Sequence, residues 1–374
     1  MIGIDDEERR ARAALSRLID PYSRPLHRRV ATDGAAAVLA GVRRGSLLGG
    51  DSLVEALRPR LSTLDVDRDL AEVTRVGGRF VCPGDDEWPE VLADLDDRAP
   101  IGLWVRGARR LDEMCARSVS VVGSRSMSEY GAYMAGGLGG DLGDAGWVVI
   151  SGGAAGIDGA AHRGCLAVGA PTVAVLACGV DVTYPRGHDS LFDAIAETGA
   201  IVSELPPGSA PFRHRFLVRN RLIAALSAGT VVVEAAVRSG ARSTASEAAE
   251  IGRPLMVVPG PVTSSTSAGC HAILRANPEA VLVTCAAEVI ELVGSIGLDL
   301  APVPRGADLA RDHLSPDVAK VLEALPVRRG QGPARIASTA GLPLPAVEIA
   351  LSTLDLLGLA EQVTDGWRLA PPAR

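Results

Sequence analysis

The residues of this chain best suited to chemistry sit in turns where an apolar β-branched run gives way to a helical one. The first is Val121-Val-Gly-Ser-Arg-Ser-Met-Ser-Glu-Tyr-Gly131. Gly123 permits a tight turn, Ser126 and Glu129 have the spacing of a capping box, and the helix start so formed offers N–H groups to an anion. Arg125 adds a guanidinium able to grip a phosphate through two hydrogen bonds. No G-x-G-x-x-G is present, and the following strand ends in Ser151-Gly-Gly with no acid for a ribose hydroxyl, so this is not a dinucleotide fingerprint. The second turn, Ser151-Gly-Gly-Ala-Ala-Gly-Ile-Asp-Gly-Ala-Ala-His162, is expected to bring the backbone of Gly152, Gly153 and Gly156 close to a ligand and to form a second anion nest. Asp158 and His162 share a helix face, but no third ligand stands near them, so they read as cap and core rather than as an acid/base pair or half a metal site.

The third stretch carries the most charge. Between residues 211 and 242 stand six arginines, Arg213, Arg215, Arg219, Arg221, Arg238 and Arg242, against one acid, Glu234, in a chain whose net charge is -7. Phe212 and Phe216 interleave with them. Bases stack on such rings while guanidinium groups follow the phosphates, the combination that single-strand binders use. A further turn supplies Ser239, Gly240 and Thr244, and Pro259 to His271 adds more hydroxyls and N–H groups. Several anion nests along one edge fit a polyanion better than one nucleotide.

Composition excludes other chemistries. Of 38 basic residues in 374, Lys320 is the one lysine, and no glycine loop precedes it. A lysine-bearing P-loop and Schiff-base chemistry are therefore both unavailable. Six cysteines without a C-x-x-C pair, in a chain too large to need a disulfide framework, point to a reduced, cytoplasmic protein. The charged start MIGIDDEERRAR and the lack of any run of 18 apolar residues predict neither signal peptide nor membrane span. No cofactor and no metal site are expected.

These turns need elements to hold them. Residues 1–75 read as a small helical domain, with helices over 7–19, 31–40 and 52–62. Over 76–295, strands at 118–122, 147–151, 172–177, 200–203, 230–234, 254–258 and 280–283 alternate with helical stretches. Near-continuous Val/Ile/Ala strands mean burial on both faces, so the expected fold is α/β, an extended Rossmann-like, doubly wound, mostly parallel sheet. Its ligands would lie beyond the carboxyl ends of the strands. Pro and Gly mark a linker over 296–312. Residues 313–374 then give two helices, a turn at Gly341, a longer helix and a hairpin around Asp365-Gly366, which together predict a winged-helix domain. Its last helix, Pro345 to Leu357, carries two acids and no base, so a protein-contact or structural role is expected before duplex reading.

Taken together, Gly123-Ser-Arg125, Ser151-Gly-x-Ala-x-Gly-Ile-Asp158 with Ala161-His162, Tyr184-Pro185, Ser203-Glu204, Phe216-x-x-Arg-Asn-Arg221, Val233-Glu234, Ser239-Gly240, Thr244-Ala245 and Pro259-Gly260 resemble the DNA-processing protein A family (DprA, also called Smf) over roughly residues 80 to 290. The resemblance implies a non-enzymatic protein that binds single-stranded DNA in the pocket of the Rossmann-like domain and forms a homodimer through it. It further implies loading of the recombinase RecA onto DNA covered by single-strand-binding protein, and protection of incoming DNA in natural transformation. It adds Ser124 and Asn220 to the DNA-binding candidates Gly123, Arg125, Arg213, Phe216, Arg219 and Arg221. The chain departs from the family at Ala155, where many members carry a basic residue, and at Cys270-His271, in place of the usual Asn of a Ser-x-Gly-x-Asn turn. The rival reading is an enzyme acting on a nucleotide or nucleotide sugar, with Glu234, Asp158 and His162 as acid/base groups. A regulator that uses the winged helix on duplex DNA is a third.

Overall fold

The computed structural model describes residues 4–45, 57, 59–295, 299–302 and 310–371, in two compact units, Met1–Ala301 and Pro302–Arg374. The expected helix over 52–62 and linker over 296–312 lie in large part outside the described residues.

The first unit opens with helices α1 (Asp6–Leu18), α2 (Arg24–Asp33), α3 (Ala35–Arg44) and α4 (Val66–Arg75). Helix α1 carries Asp6, Glu7 and Glu8 in its first turn and Arg17 in its last, matching the helix dipole. Its Ala11, Ala14, Leu15 and Leu18 lie on one face and pack with Leu26, Val30, Val38 and Val42 of α2 and α3. The single helix expected over 31–40 is two. Gly34, at φ +81°, breaks the chain between them, and Glu8 caps the new start by accepting from the N–H groups of Ala35 (2.9 Å) and Ala36 (3.0 Å). The same unit contains the sheet, and Trp104 of the sheet, wholly buried, donates its indole N–H to Ser16 of α1 at 3.1 Å.

Nine strands form that sheet: β1 (Gly78–Val81), β2 (Leu103–Arg106), β3 (Ser118–Val122), β4 (Val148–Ser151), β5 (Thr172–Leu176), β6 (Ala200–Ser203), β7 (Thr230–Val232), β8 (Leu255–Val257) and β9 (Val281–Leu282). Their order is β1-β2-β6-β5-β4-β3-β7-β8-β9. From β6 to β9 all pairings are parallel. The edge pair β1 and β2, absent from the sequence expectation, is antiparallel, and so is β2 to β6.

Connecting helices are α5 (Leu111–Ala116), α6 (Glu129–Asp144), α7 (Ile157–Ala167), α8 (Asp189–Thr198), α9 (Arg213–Ala225), α10 (Ala241–Glu250), α11 (Ala268–Ala276) and α12 (Ala286–Val293). Successive strand residues enter opposite cores. Val121, Val149 and Val231 pack under α6 and α7, whereas Val122, Ile150 and Val232 pack under α9, α10 and α11. Both faces are therefore covered, as the unbroken apolar strands require. The chain steps outward from β3 through β4, β5 and β6, then returns to place β7 on the other side of β3. That reversal opens a crevice at the carboxyl ends of β3, β4 and β7.

The second unit has helices α13 (Pro316–Ala324), α14 (Pro333–Ala340) and α15 (Leu344–Leu356), followed by the hairpin β10 (Ala360–Val363) and β11 (Gly366–Leu369). Val321, Ile336, Val347, Leu351 and Leu354 form its core, while Ile349 and Leu356 of α15 lie exposed. Among the described residues no single helix is long and apolar enough to cross a membrane. Five cysteines are buried, Cys285 is exposed, and all six are free.

Candidate nucleic-acid interface

A cleft of about 740 Å3 occupies the crevice. Five pieces of chain wall it: the turn after β3, the turn after β4, the β5–α8 connection, the cleft-facing side of α9 and the turn that opens α10. Gly123, Ser124, Arg125, Arg213, Phe216, Arg219, Asn220, Ser239, Gly240 and Thr244 all line it. Gly152, Gly153, Gly156 and Arg221 do not.

Phe216 organises one wall. The Arg125 guanidinium lies over its ring, 4.7 Å from the centroid, and the Tyr184 ring packs at 5.4 Å, tilted by 49°. Tyr184 lines the cleft too; the sequence offered it only through its place beside Pro185, with no charge or glycine turn to mark it. The floor is Arg219, whose side chain is buried. One of its terminal N–H groups donates to Val175 O, while its Nε has no partner among the described residues. Burial, with the nearby Arg125 charge adding to it, lowers its pKa to about 10. Asp158 is the one carboxylate in a lining that holds four guanidinium groups, those of Arg125, Arg213, Arg219 and Arg238. Burial pushes its acid upward, with Arg219 opposing. An added anion would relieve the crowding of positive charge around the buried Arg219. Asn220 also reaches the cleft and donates to Gly240 O at 3.4 Å, tying α9 to the turn before α10.

The expected row of six arginines is not one surface. Arg221 is 1% exposed and donates to both carboxylate oxygens of Glu204 at 2.8 Å and to Arg98 O at 2.8 Å. Its donors are spent inside the protein, away from the cleft lining. Arg215 is held by Ala210 O and Asp20, and Arg242 closes its own turn on Val237 O at 2.6 Å. Arg213, Arg219 and Arg238 remain in the cleft. The glycines of the second turn also act differently from expectation. A Cβ on Gly152 would overlap the Arg219 guanidinium, one on Gly153 the Phe192 ring, and one on Gly156 the Ser124 carbonyl. Each admits a neighbouring protein group, and none of the three lines the cleft.

Nor is the start of α6 an open anion nest. Its cap is Ser128, which accepts from the Gly131 N–H at 3.1 Å, not Ser126. The buried Glu234 carboxylate takes the Ser128 N–H at 2.9 Å and the hydroxyls of Ser128 and Thr266. Gly131 is required there, since a Cβ would collide with that carboxylate. Asp158 accepts from the Gly152 N–H at 3.1 Å, so it knits the second turn together. Wholly buried His162 meets Thr172 Oγ1 at 2.8 Å. Thr172 donates its own proton to Val149 O, so His162 Nδ1 carries a hydrogen, and burial, which lowers the ring's pKa to about 3, favours its neutral form. Among the described residues no group of three or more His, Cys, Asp or Glu is arranged to hold a metal ion.

The family model for DNA recombination-mediator protein A matches residues 79–294, which include every residue of the cleft. The chain belongs to that family. A DprA protein of Mycobacterium tuberculosis is 43% identical over 376 residues, covering 97% of this chain and 95% of the relative. Escherichia coli Smf is 36% identical over 292 residues, 76% of each. Among solved structures, DprA of Streptococcus pneumoniae aligns with a TM-score of 0.61 at 29% identity, over 79% of this chain and all of that one. DprA of Helicobacter pylori, whose structure concerns its mode of binding single-stranded DNA, aligns with a TM-score of 0.50 at 27% identity, over 57% of this chain and 94% of that one. The mixed α/β architecture with its mostly parallel sheet is thus that of a DprA protein.

Proposed function

We propose that this DprA-family chain binds single-stranded DNA in the cleft and serves as a non-enzymatic mediator of recombination. The observation that carries the reading is the Arg125–Phe216–Tyr184 stack beside the buried Arg219. Ring faces accept splayed bases, and guanidinium groups take the phosphates between them. In this reading Arg125, Arg213 and Arg219 contact phosphate, Phe216 contacts a base, and Gly123, Ser124, Asn220, Ser239, Gly240 and Thr244 supply backbone and hydroxyl contacts. Gly152, Gly153 and Gly156 shape the site from behind.

The H. pylori relative's single-stranded DNA supports the ligand assignment. Loading of RecA onto strands covered by single-strand-binding protein, and protection of DNA during transformation, rest on the family resemblance. A homodimer through the sheet domain is supported by β9, whose Val281 and Leu282 are exposed at the sheet edge. The three helices and hairpin of the second unit fit a winged helix. Since α15 bears Glu348 and Asp355 and no base, we assign it to protein contact rather than duplex reading. The cytoplasm is the compartment in which such a protein would act. The nucleotide-enzyme alternative is weakened because Glu234, Asp158 and His162 each have an internal structural partner.

Titration with oligothymidylate at several salt concentrations tests the reading. Log K should fall against log[salt] with a slope of roughly -0.7 per phosphate contacted. A flat response, or tighter binding to duplex than to single strand, overturns it. Faster RecA filament assembly on coated strands in the presence of the protein tests the mediator role.

A further inference from the structure

We infer that a second nucleotide subsite lies across the start of α9 from the cleft, and that it takes the next phosphate and base of the same single strand. This rests on the reading of the cleft as a single-strand site. The residues that begin α9 alternate between two hollows. Pro211, Arg213 and Phe216 line the cleft, whereas Phe212 and Arg215 line a neighbouring hollow of about 260 Å3. Phe212 and Arg213 are adjacent in the chain, with Cα atoms about 3.8 Å apart, so the two hollows flank the same short segment.

The second hollow repeats the chemistry of the first. Its far wall comes from the N-terminal helices and brings Arg17, Arg60 and Asp20. Arg17 is already paired with the Asp69 carboxylate, which leaves the guanidinium groups of Arg60 and Arg215 against the one carboxylate of Asp20. Phe212 is 53% exposed, and the Arg215 guanidinium lies 4.9 Å from its ring centroid. The Arg125 guanidinium stands over Phe216 in the cleft at 4.7 Å, in the same arrangement. Arg215 is only 15% exposed, and its Nε is buried with no partner among the described residues.

Asp20 occupies the place of the phosphate. It accepts from Arg60 and from Arg215, each at 3.2 Å, and holds both guanidinium groups ready. Their remaining bonds, Arg60 to Leu18 O and Arg215 to Ala210 O, both 2.8 Å, fix them to the backbone. Arg17, held by the Asp69 carboxylate, braces the same wall by donating to Pro207 O at 2.8 Å. A strand phosphate arriving here would exchange with the Asp20 carboxylate against two guanidinium groups already in position.

The test uses the full chain and two oligothymidylates, one of about 6 and one of about 20 nucleotides. Phe212→Ala should remove about tenfold in affinity for the longer strand, the worth of one stacked base, and leave the shorter unchanged; Phe212→Trp should restore it. Asp20→Asn should tighten the longer strand several-fold without affecting the shorter, a gain that misfolding cannot produce. Arg125→Ala should weaken both lengths. If Phe212→Ala and Asp20→Asn act equally on both lengths, or on neither, the subsite is wrong while the cleft assignment stands. If Arg125→Ala changes neither length, the cleft assignment itself fails.

Discussion

Ser128 and Glu234, far apart in sequence, meet where α6 begins: the Ser128 N–H and hydroxyl both donate to the Glu234 carboxylate. The helix start that a local reading offers to a ligand is therefore closed by the protein's own anion. Its electrostatic preference for negative charge is satisfied before any ligand arrives.

Glu234→Ala should lower unfolding stability by about 2 kcal/mol in urea, since charge-assisted hydrogen bonds are lost and the half-buried Ser128 N–H is left without its partner. Glu234 does not line the cleft, so oligonucleotide affinity of the folded fraction should stay within about twofold.

Arg221 and Arg125 should give opposite patterns. Arg221→Ala leaves Glu204 as an uncompensated buried charge and should cost about 3–5 kcal/mol in a denaturant titration, with affinity of the folded molecules nearly unchanged. Arg125→Ala removes an exposed group and should shift stability by less than about 0.5 kcal/mol. Affinity for single strands should nevertheless fall about tenfold or more, the worth of a charge-assisted contact.

Gly152→Ala tests Arg219 indirectly. The new methyl group must displace the guanidinium, so single-strand affinity should drop as in Arg219→Ala, although residue 152 lies outside the cleft lining. Equal affinity in Gly152→Ala and the parent would remove Arg219 from the binding floor.

Acid should destabilise the fold through histidine. Burial pushes His162 down to about 3, whereas an unfolded imidazole protonates near 6.5. Between those values the unfolded state holds the extra proton, so stability is lost as pH falls from about 6.5 toward 3. His27, lowered chiefly by its burial, adds to the same trend. The His162 contribution amounts to about 2 kcal/mol between pH 6.5 and 5. Urea unfolding of His162→Gln at the two pH values should show a shallower fall.

The parallel strands and their helices were legible in the sequence because burial on both faces leaves unbroken apolar runs. Strands β1 and β2 were not legible: Gly78 and Arg79 leave β1 two apolar residues, and Arg106 ends β2 after three. The cleft was legible at its turns and less so on α9. Arg219 and Arg221 are two positions apart on a helix, which points them to opposite sides, so counting arginines cannot separate the cleft floor from a buried ion pair. The role of Glu234 depends on contacts with Ser128 and Thr266 in distant segments, and no local spacing encodes them.

The two edges of the sheet are unequal. Val73 of helix α4 packs against Gly78 of β1, while β9 presents its side chains to solvent. Pairing of the proposed homodimer through β9 would join the same edge of two molecules. Such a two-fold contact uses the one edge on both molecules and so would close as a pair, with no edge of that kind left to extend into a filament.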